Sequence, residues 1–331
     1  MQRREFITFV GGTAAASIVR PLSAWSQQRV AHVGVLMVVA ETDPDAKRFV
    51  AALETQLDAE GWHKGNNLEI TYRWGASNPE GLARYAKELV LAAPDVLVTL
   101  GTAALLPFQK ATTTIPIVFT VVSDPVAQGF VASLAHPGGN MTGFSNYEPD
   151  VGRRWLQLLK EVAPSAMQIA VLFNPQTSPY NVLWMRSIEA AAPGFSVSTS
   201  QVSVENDEDI RRAFDTLRTT PGTGLIVPSD SFTFERAALI ASLAMDGRIP
   251  AVYAFPRFAH EGGLIAYGID LVEQLGKAAV YVNRILKGER AGELPVQGPT
   301  RYTMTINLKT AKAFGLTIAP GLIASADEVI E

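Results

Sequence analysis

Apolar residues in this chain come in short blocks at regular intervals, and the blocks are of two kinds. Residues 31–39, 95–100 and 115–122 are near-continuous apolar runs of strand length, rich in β-branched side chains. Runs of that kind suit strands buried on both faces of a sheet. Residues 68–74 alternate as a strand does. Between these blocks, 45–60 places Phe49, Leu53 and Leu57 on one helical face, and 79–91 does the same with Leu82, Tyr85 and Leu89. A third helix is expected over 103–111. Strands alternating with helices through short polar connections predict a parallel sheet covered on both faces. The run 115–122 stops at Ser123-Asp124-Pro125, which reads as a helix start. After the turn Pro137-Gly138-Gly139-Asn140 a short strand follows at 141–145.

The same order of elements then begins again. Strands are expected at 168–173, 195–202, 224–227 and 249–253, and helices at 180–191, 208–217 and 234–245. Ile249-Pro250-Ala251-Val252-Tyr253 repeats the character of Ile115-Pro116-Ile117-Val118-Phe119. Matching elements of the two halves sit roughly 130 residues apart, too long a period for a solenoid and suited to two lobes of one topology. A tail remains: a strand ending near 269, a helix over 271–286, a Gly- and Pro-bearing loop over 288–299, a strand at 301–307 and a short helix at 309–314. It is too short for a third lobe. It suits a chain that crosses back between the two, giving several connections instead of one.

Composition narrows the class. The 331 residues are 47% hydrophobic and 18% charged, a globular balance long enough for two domains. The net charge of −4, with no basic cluster, gives no footprint for nucleic acid. Residues 1–26 differ from the rest. Arg3-Arg4 with Phe6 precedes a moderate apolar run and then Ala24-Trp25-Ser26, the pattern of a twin-arginine export signal with a small-residue cleavage site. The chain has no cysteine, so an exported form has neither disulfides nor a lipid-modified cysteine. The expected location is periplasmic, as a soluble protein.

The four histidines, His32, His63, His136 and His260, lie far apart with no metal-ligand spacing. There is no nucleophile elbow, no P-loop and no dinucleotide fingerprint after the first strand. No catalytic residue, metal or cofactor is therefore expected.

Three segments carry a resemblance. SDPVAQGFVASLAHPGGNMTGFS at 123–145, AYGIDLVEQLGKAAVYVNRILKGERAGELPVQ at 266–297 and INLKTAKAFGLTIAPGLIASADEVIE at 306–331 closely resemble the ABC-transporter substrate-binding family related to tryptophan/tyrosine uptake proteins. The resemblance implies an α/β protein of the type I periplasmic-binding-protein fold: two Rossmann-like lobes with parallel sheets, joined by three crossover hinge strands near 143–148, 264–269 and 300–306. One lobe would hold 30–145 with 267–300, the other 146–266 with 301–331. It also implies a monomeric, non-enzymatic receptor that delivers a small ligand to an ABC permease. That ligand would be an amino acid, with an aromatic one favoured. A sensory protein on the same fold stays open, as does a branched aliphatic amino acid or an aromatic acid as ligand.

In a two-lobed binder the strand-to-helix loops face the cleft, where helix N-termini suit an anion and carboxylates suit an amine. Gly101-Thr102-Ala103 is the expected carboxylate cradle. Asp230 and Asp270 are the candidates for an ammonium group, with Glu41, Thr42, Ser123, Asp124 and Ser229 on neighbouring loops. Tyr147, Tyr180, Phe232, Phe255 and Tyr267 offer stacking walls, and Asn174 and Asn181 neutral hydrogen bonds. Each also has an ordinary structural reading: a cap, a turn or a core aromatic.

Overall fold

The computed structural model describes residues 30–331, so the export segment expected over 1–26 lies outside the described residues. The first half runs β1 (Ala31–Met37), α1 (Ala46–Ala59), β2 (Leu68–Trp74), α2 (Pro79–Leu91), β3 (Val96–Leu100), α3 (Thr102–Ala111), β4 (Ile117–Val122) and β5 (Met141–Ser145). Its strands form one parallel sheet in the order β2-β1-β3-β4-β5. Strands β3, β4 and β5 are buried at every position, which is why their segments carry no polar alternation.

The second half runs α4 (Val151–Val162), β6 (Gln168–Phe173), α5 (Asn181–Ala191), β7 (Ser198–Ser203), α6 (Asp207–Leu217), β8 (Thr223–Val227), α7 (Ser231–Glu235), α8 (Ala237–Asp246), β9 (Ala251–Tyr253), α9 (Pro256–His260) and β10 (Ile265–Gly268). The tail adds α10 (Leu271–Leu286), β11 (Thr303–Asn307), α11 (Leu308–Phe314), α12 (Pro320–Ala324) and β12 (Glu328–Ile330). The second sheet has the order β12-β11-β10-β9-β8-β6-β7. It is parallel except where β11 lies antiparallel to β10, because the chain re-enters this sheet from the other lobe.

Two local expectations are corrected. Ser123-Asp124-Pro125 does not start a helix. Asp124 has φ of 40°, outside the helical region, and residues 125–129 form turns closed by Phe130 N–H donating to Pro125 O. The single helix expected over 234–245 is two, α7 and α8, broken at Arg236 with φ of −104°. The Arg236 guanidinium there lies over the Phe232 ring and pairs with Asp207 at 2.6 Å.

The chain passes between the sheets three times. After β5 it enters the second half. After β10 it returns, and α10 packs against α1 of the first: Trp62 Nε1 donates to Asn283 Oδ1 at 3.0 Å, and Asn283 Nδ2 to Glu60 Oε2 at 2.6 Å. The stretch that follows runs beside β5, where Ser145 N–H donates to Gln297 O and Gln297 N–H to Gly143 O, before β11 joins the second sheet. Two glycines make these passages possible. Gly143 has φ of +149°, and a Cβ there would lie 1.9 Å from Phe119 O. A Cβ on Gly268 would lie 1.7 Å from Ala254 O.

Gly268→Ala is therefore expected to destabilise the protein by about 3 kcal/mol or more, since backbone must move to admit the methyl group. Gly276→Ala, inside α10 with open space around it, should instead gain about 0.5–1 kcal/mol from helix propensity. Urea denaturation of both variants checks this; equal midpoints would refute the close-approach argument.

Candidate functional site

The carboxyl ends of the two sheets face each other, and the loops leaving them enclose a cavity of about 30 Å³. From the first half come Val38 and Val39 beyond β1, Leu100 to Ala103 at the β3–α3 junction, and Val121 of β4. The second half supplies Tyr180, Ser229, Ser231, Phe234 and Phe255, and Leu271 of α10 completes the wall. The lining is mostly apolar and contains no ionised side chain. Ligand pockets run to several hundred Å³, so this volume suits water and not a solute.

Thr102 and Ala103 are the first residues of α3, whose N-cap Gly101 has φ of +89° and no side chain to cap with. The leading N–H groups of a helix lack intrahelical partners and carry its positive end. Nearby, Val121 has φ of 59° at the register shift of β4, an outlier for a β-branched residue. Such conformations cost about 1–3 kcal/mol and persist where the surroundings enforce them.

Below the cavity a chain of buried hydrogen bonds joins the halves. Ser123 N–H donates to Thr102 Oγ1 at 3.2 Å, and Ser123 Oγ donates to Asn146 Oδ1 at 2.9 Å. Asn146 Nδ2 donates to Ser229 Oγ at 2.8 Å, and the Tyr180 hydroxyl to Ser229 O at 3.4 Å. Burial, then the neighbouring Asp230, push the Tyr180 phenol well above its ordinary pKa, so it stays protonated as a donor. Ser231 Oγ, at the cavity wall, is buried without a hydrogen-bond partner.

Of the residues singled out from the sequence, Gly101, Thr102, Ala103, Tyr180, Ser229 and Phe255 meet at the cavity, and Ser123 joins them through hydrogen bonds. The others do not line it. Glu41 and Thr42 are exposed, because the loop turns outward after Val39. Asp124 accepts from Ala127 N–H, and Asn174 Oδ1 from the N–H groups of Gln176 and Thr177; both are turn locks. Asn181 is buried beside Gln201. Phe232 lies under Arg236, since the short α7 turns Phe234 toward the cavity instead. Tyr147 packs on Trp184, and Tyr267 stacks on Tyr302 beneath Arg154, all at the crossovers.

The two proposed ammonium partners are caps. Asp270 is exposed and accepts from Val272 N–H at 2.8 Å and Glu273 N–H at 3.3 Å at the start of α10. Asp230 is fully buried; Asn174 N–H donates to one oxygen at 2.8 Å, and Thr177 Oγ1 and Phe232 N–H donate to the other. Ser231 apart, the cavity-lining residues not singled out from the sequence are apolar: Val38, Val39, Leu100, Val121, Phe234 and Leu271. Their one signal was apolar sequence continuing to the very ends of strands, which core residues share.

Burial raises the pKa of Asp230 to about 6 against these donors, which favour the charged form. The unfolded value is about 4, so the folded protein holds the proton more tightly. The contribution to stability is complete below about pH 4 and is lost as pH rises through about 6. Asp230→Asn removes this titration. Relative to the parent protein, its stability should improve by about 1–3 kcal/mol between pH 4 and 7.5. Urea melts at both pH values test it, and parallel changes in the two proteins would refute it.

Comparison with known proteins gives this geometry its context. A curated tyrosine-binding protein of Clostridioides difficile is 27% identical over 289 residues, covering 86% of this chain and 81% of that protein. A conserved domain protein from Vibrio cholerae superposes with a TM-score of 0.84 at 28% identity, covering 91% of this chain and all of that one. An ABC domain from Streptococcus pneumoniae in complex with L-Trp has a TM-score of 0.83 at 23% identity, over 91% and 100% of the two chains. The fold is that of the type I periplasmic binding proteins. Residues 32–330 match the family described as ABC transporter substrate binding protein, and the chain belongs to that family.

Proposed function

We propose that this protein is the extracytoplasmic solute-binding component of an ABC importer, taking an α-amino acid, aromatic by preference, into the cleft between its lobes. The observation that carries this reading is the placement of the cavity. It joins the facing edges of both sheets, with a helix N-terminus at one wall and apolar side chains around the rest. The Thr102 and Ala103 N–H groups would receive the carboxylate, and Ser229 and Ser231 would offer neutral hydrogen bonds. Val38, Val39, Leu100, Phe234, Phe255 and Leu271 would surround the side group. The tyrosine-binding relative and the L-Trp complex support an aromatic side group. A cavity of about 30 Å³ cannot hold such a ligand, so the lobes would part about the three crossovers to admit it and close over it. Delivery would be to a membrane permease, from a monomer outside the cytoplasmic membrane. Among the described residues no helix is long and apolar enough to cross a membrane.

A thermal-shift screen of the purified protein over amino acids and their amine-free analogues tests this. L-tyrosine, L-tryptophan or L-phenylalanine should stabilise it by about 2.7 kcal/mol at a hundredfold excess over Kd. Ala103→Leu, which fills the cavity, should fold with a loss of about 1–3 kcal/mol and show no ligand shift. If no amino acid moves the melting curve and an amine-free acid does, the amino-acid assignment is wrong.

A further inference from the structure

A second set of contacts crosses the cleft outside the cavity. The β1–α1 loop of the first lobe is held at two points by the second. Ala40 N–H donates to Glu235 Oε1 at 2.9 Å, and Arg257 Nη1 lies 2.6 Å from Asp43 Oδ2. The Asp43 and Arg257 side chains are 4% and 12% exposed, so the pair is largely withdrawn from water. Asp45 stands 3.9 Å from the same nitrogen and is itself paired with Arg48 at 2.8 Å. Arg257 Nε is buried without a partner, so the guanidinium is held mainly through Nη1.

These grips adjoin the cavity wall. Val39, which lines the cavity, directly precedes Ala40, and Glu235 follows Phe234. The Arg257 guanidinium lies 4.7 Å from the Phe234 ring centre, and Phe234 meets Phe255 edge-on at 5.3 Å. Phe255 is the N-cap of α9, the helix that carries Arg257. Opening the cleft would therefore break the ion pair and separate the aromatic wall from Val38 and Val39 in one movement. Exposed ion pairs contribute little, but removing one partner of a buried pair leaves a charge stranded in the closed form alone.

We propose that Asp43 and Arg257 form an interlobe clasp that sets the balance between open and closed forms. They thereby act as positioning residues for ligand affinity without touching the ligand. The proposal rests on hinge closure as given above, and not on the identity of the ligand. A change that takes Arg257 from Asp43 destabilises the closed form that holds the ligand, so bound ligand escapes sooner and apparent affinity falls. Since association begins from the open form, the loss should appear in dissociation.

Small-angle X-ray scattering of the ligand-free protein reads the clasp directly. Arg257→Ala and Asp43→Asn should each enlarge the radius of gyration relative to the parent protein, and Arg257→Lys should restore much of the compaction. In stopped-flow binding with L-tyrosine or L-tryptophan, Arg257→Ala should raise the dissociation rate about tenfold or more and leave the association rate within about twofold. The exchanged pair Asp43→Arg with Arg257→Asp should recover part of both effects. Unchanged scattering in folded Arg257→Ala and Asp43→Asn would overturn the clasp even if neither amino acid binds. Expanded scattering with no binding of any amino acid would keep the clasp and refute the ligand assignment.

Discussion

The architecture depends on two places where backbone must approach backbone more closely than a Cβ allows. At Gly143 the first crossover presses on Phe119 of the neighbouring strand, and at Gly268 the second presses on Ala254. Gly143 lies midway along β5, in register with Phe119 of β4, and Gly268 is the last residue of β10; each strand leads out of its sheet toward the other. Without these approaches the crossovers would stand away from the sheets, and the buried groups beside them would lose their partners. Asn146 follows β5 within one residue, and its amide bridges Ser123 of one lobe and Ser229 of the other. A one-atom constraint in the backbone thus fixes where the polar floor of the cleft can lie.

Above that floor the walls are apolar, and the two kinds of surface do different work. Apolar side chains give no direction to the cavity; they favour any arrangement that removes them from water. The hydrogen bonds through Thr102, Ser123, Asn146 and Ser229 supply direction, because each buried group would be costly if left unpaired. Asp230 follows the same logic inside the second lobe. It ties the β6–α5 loop to the start of α7, so Tyr180 and Ser229 reach the cavity from one rigid unit.

The fold was legible in the sequence because the central strands of each sheet are buried on both faces. Continuous apolar runs such as that of β4 have few other readings, and the repeated Ile-Pro strand marked the second lobe. The site was legible only in part. Gly101, Thr102 and Ala103 combine a glycine, a hydroxyl and a helix start, a pattern visible locally. Whether Asp230 grips a ligand or caps a turn depends on an N–H 56 residues away, at Asn174. No local pattern contains that information. Val38 and Leu271 were hidden for another reason: a residue lining an apolar cavity has the chemistry of a core residue. The turn at Asp124 was misjudged because a left-handed residue before Pro125 cancels the helix start that Asp-Pro announces.

The position of α10 has a consequence for biogenesis. This helix covers α1 of the first lobe, yet it comes after the whole of the second lobe in the chain. Trp62 and Glu60 find their partner, Asn283, more than two hundred residues later. A nascent chain that has made all five strands of the first sheet still lacks the helix that closes one face of it. Contacts of such sequence separation carry a large loop-closure entropy and form late. Each lobe is completed by a segment made after the chain has passed through the other lobe, α10 for the first and β11 with β12 for the second, so the two mature together and not one after the other.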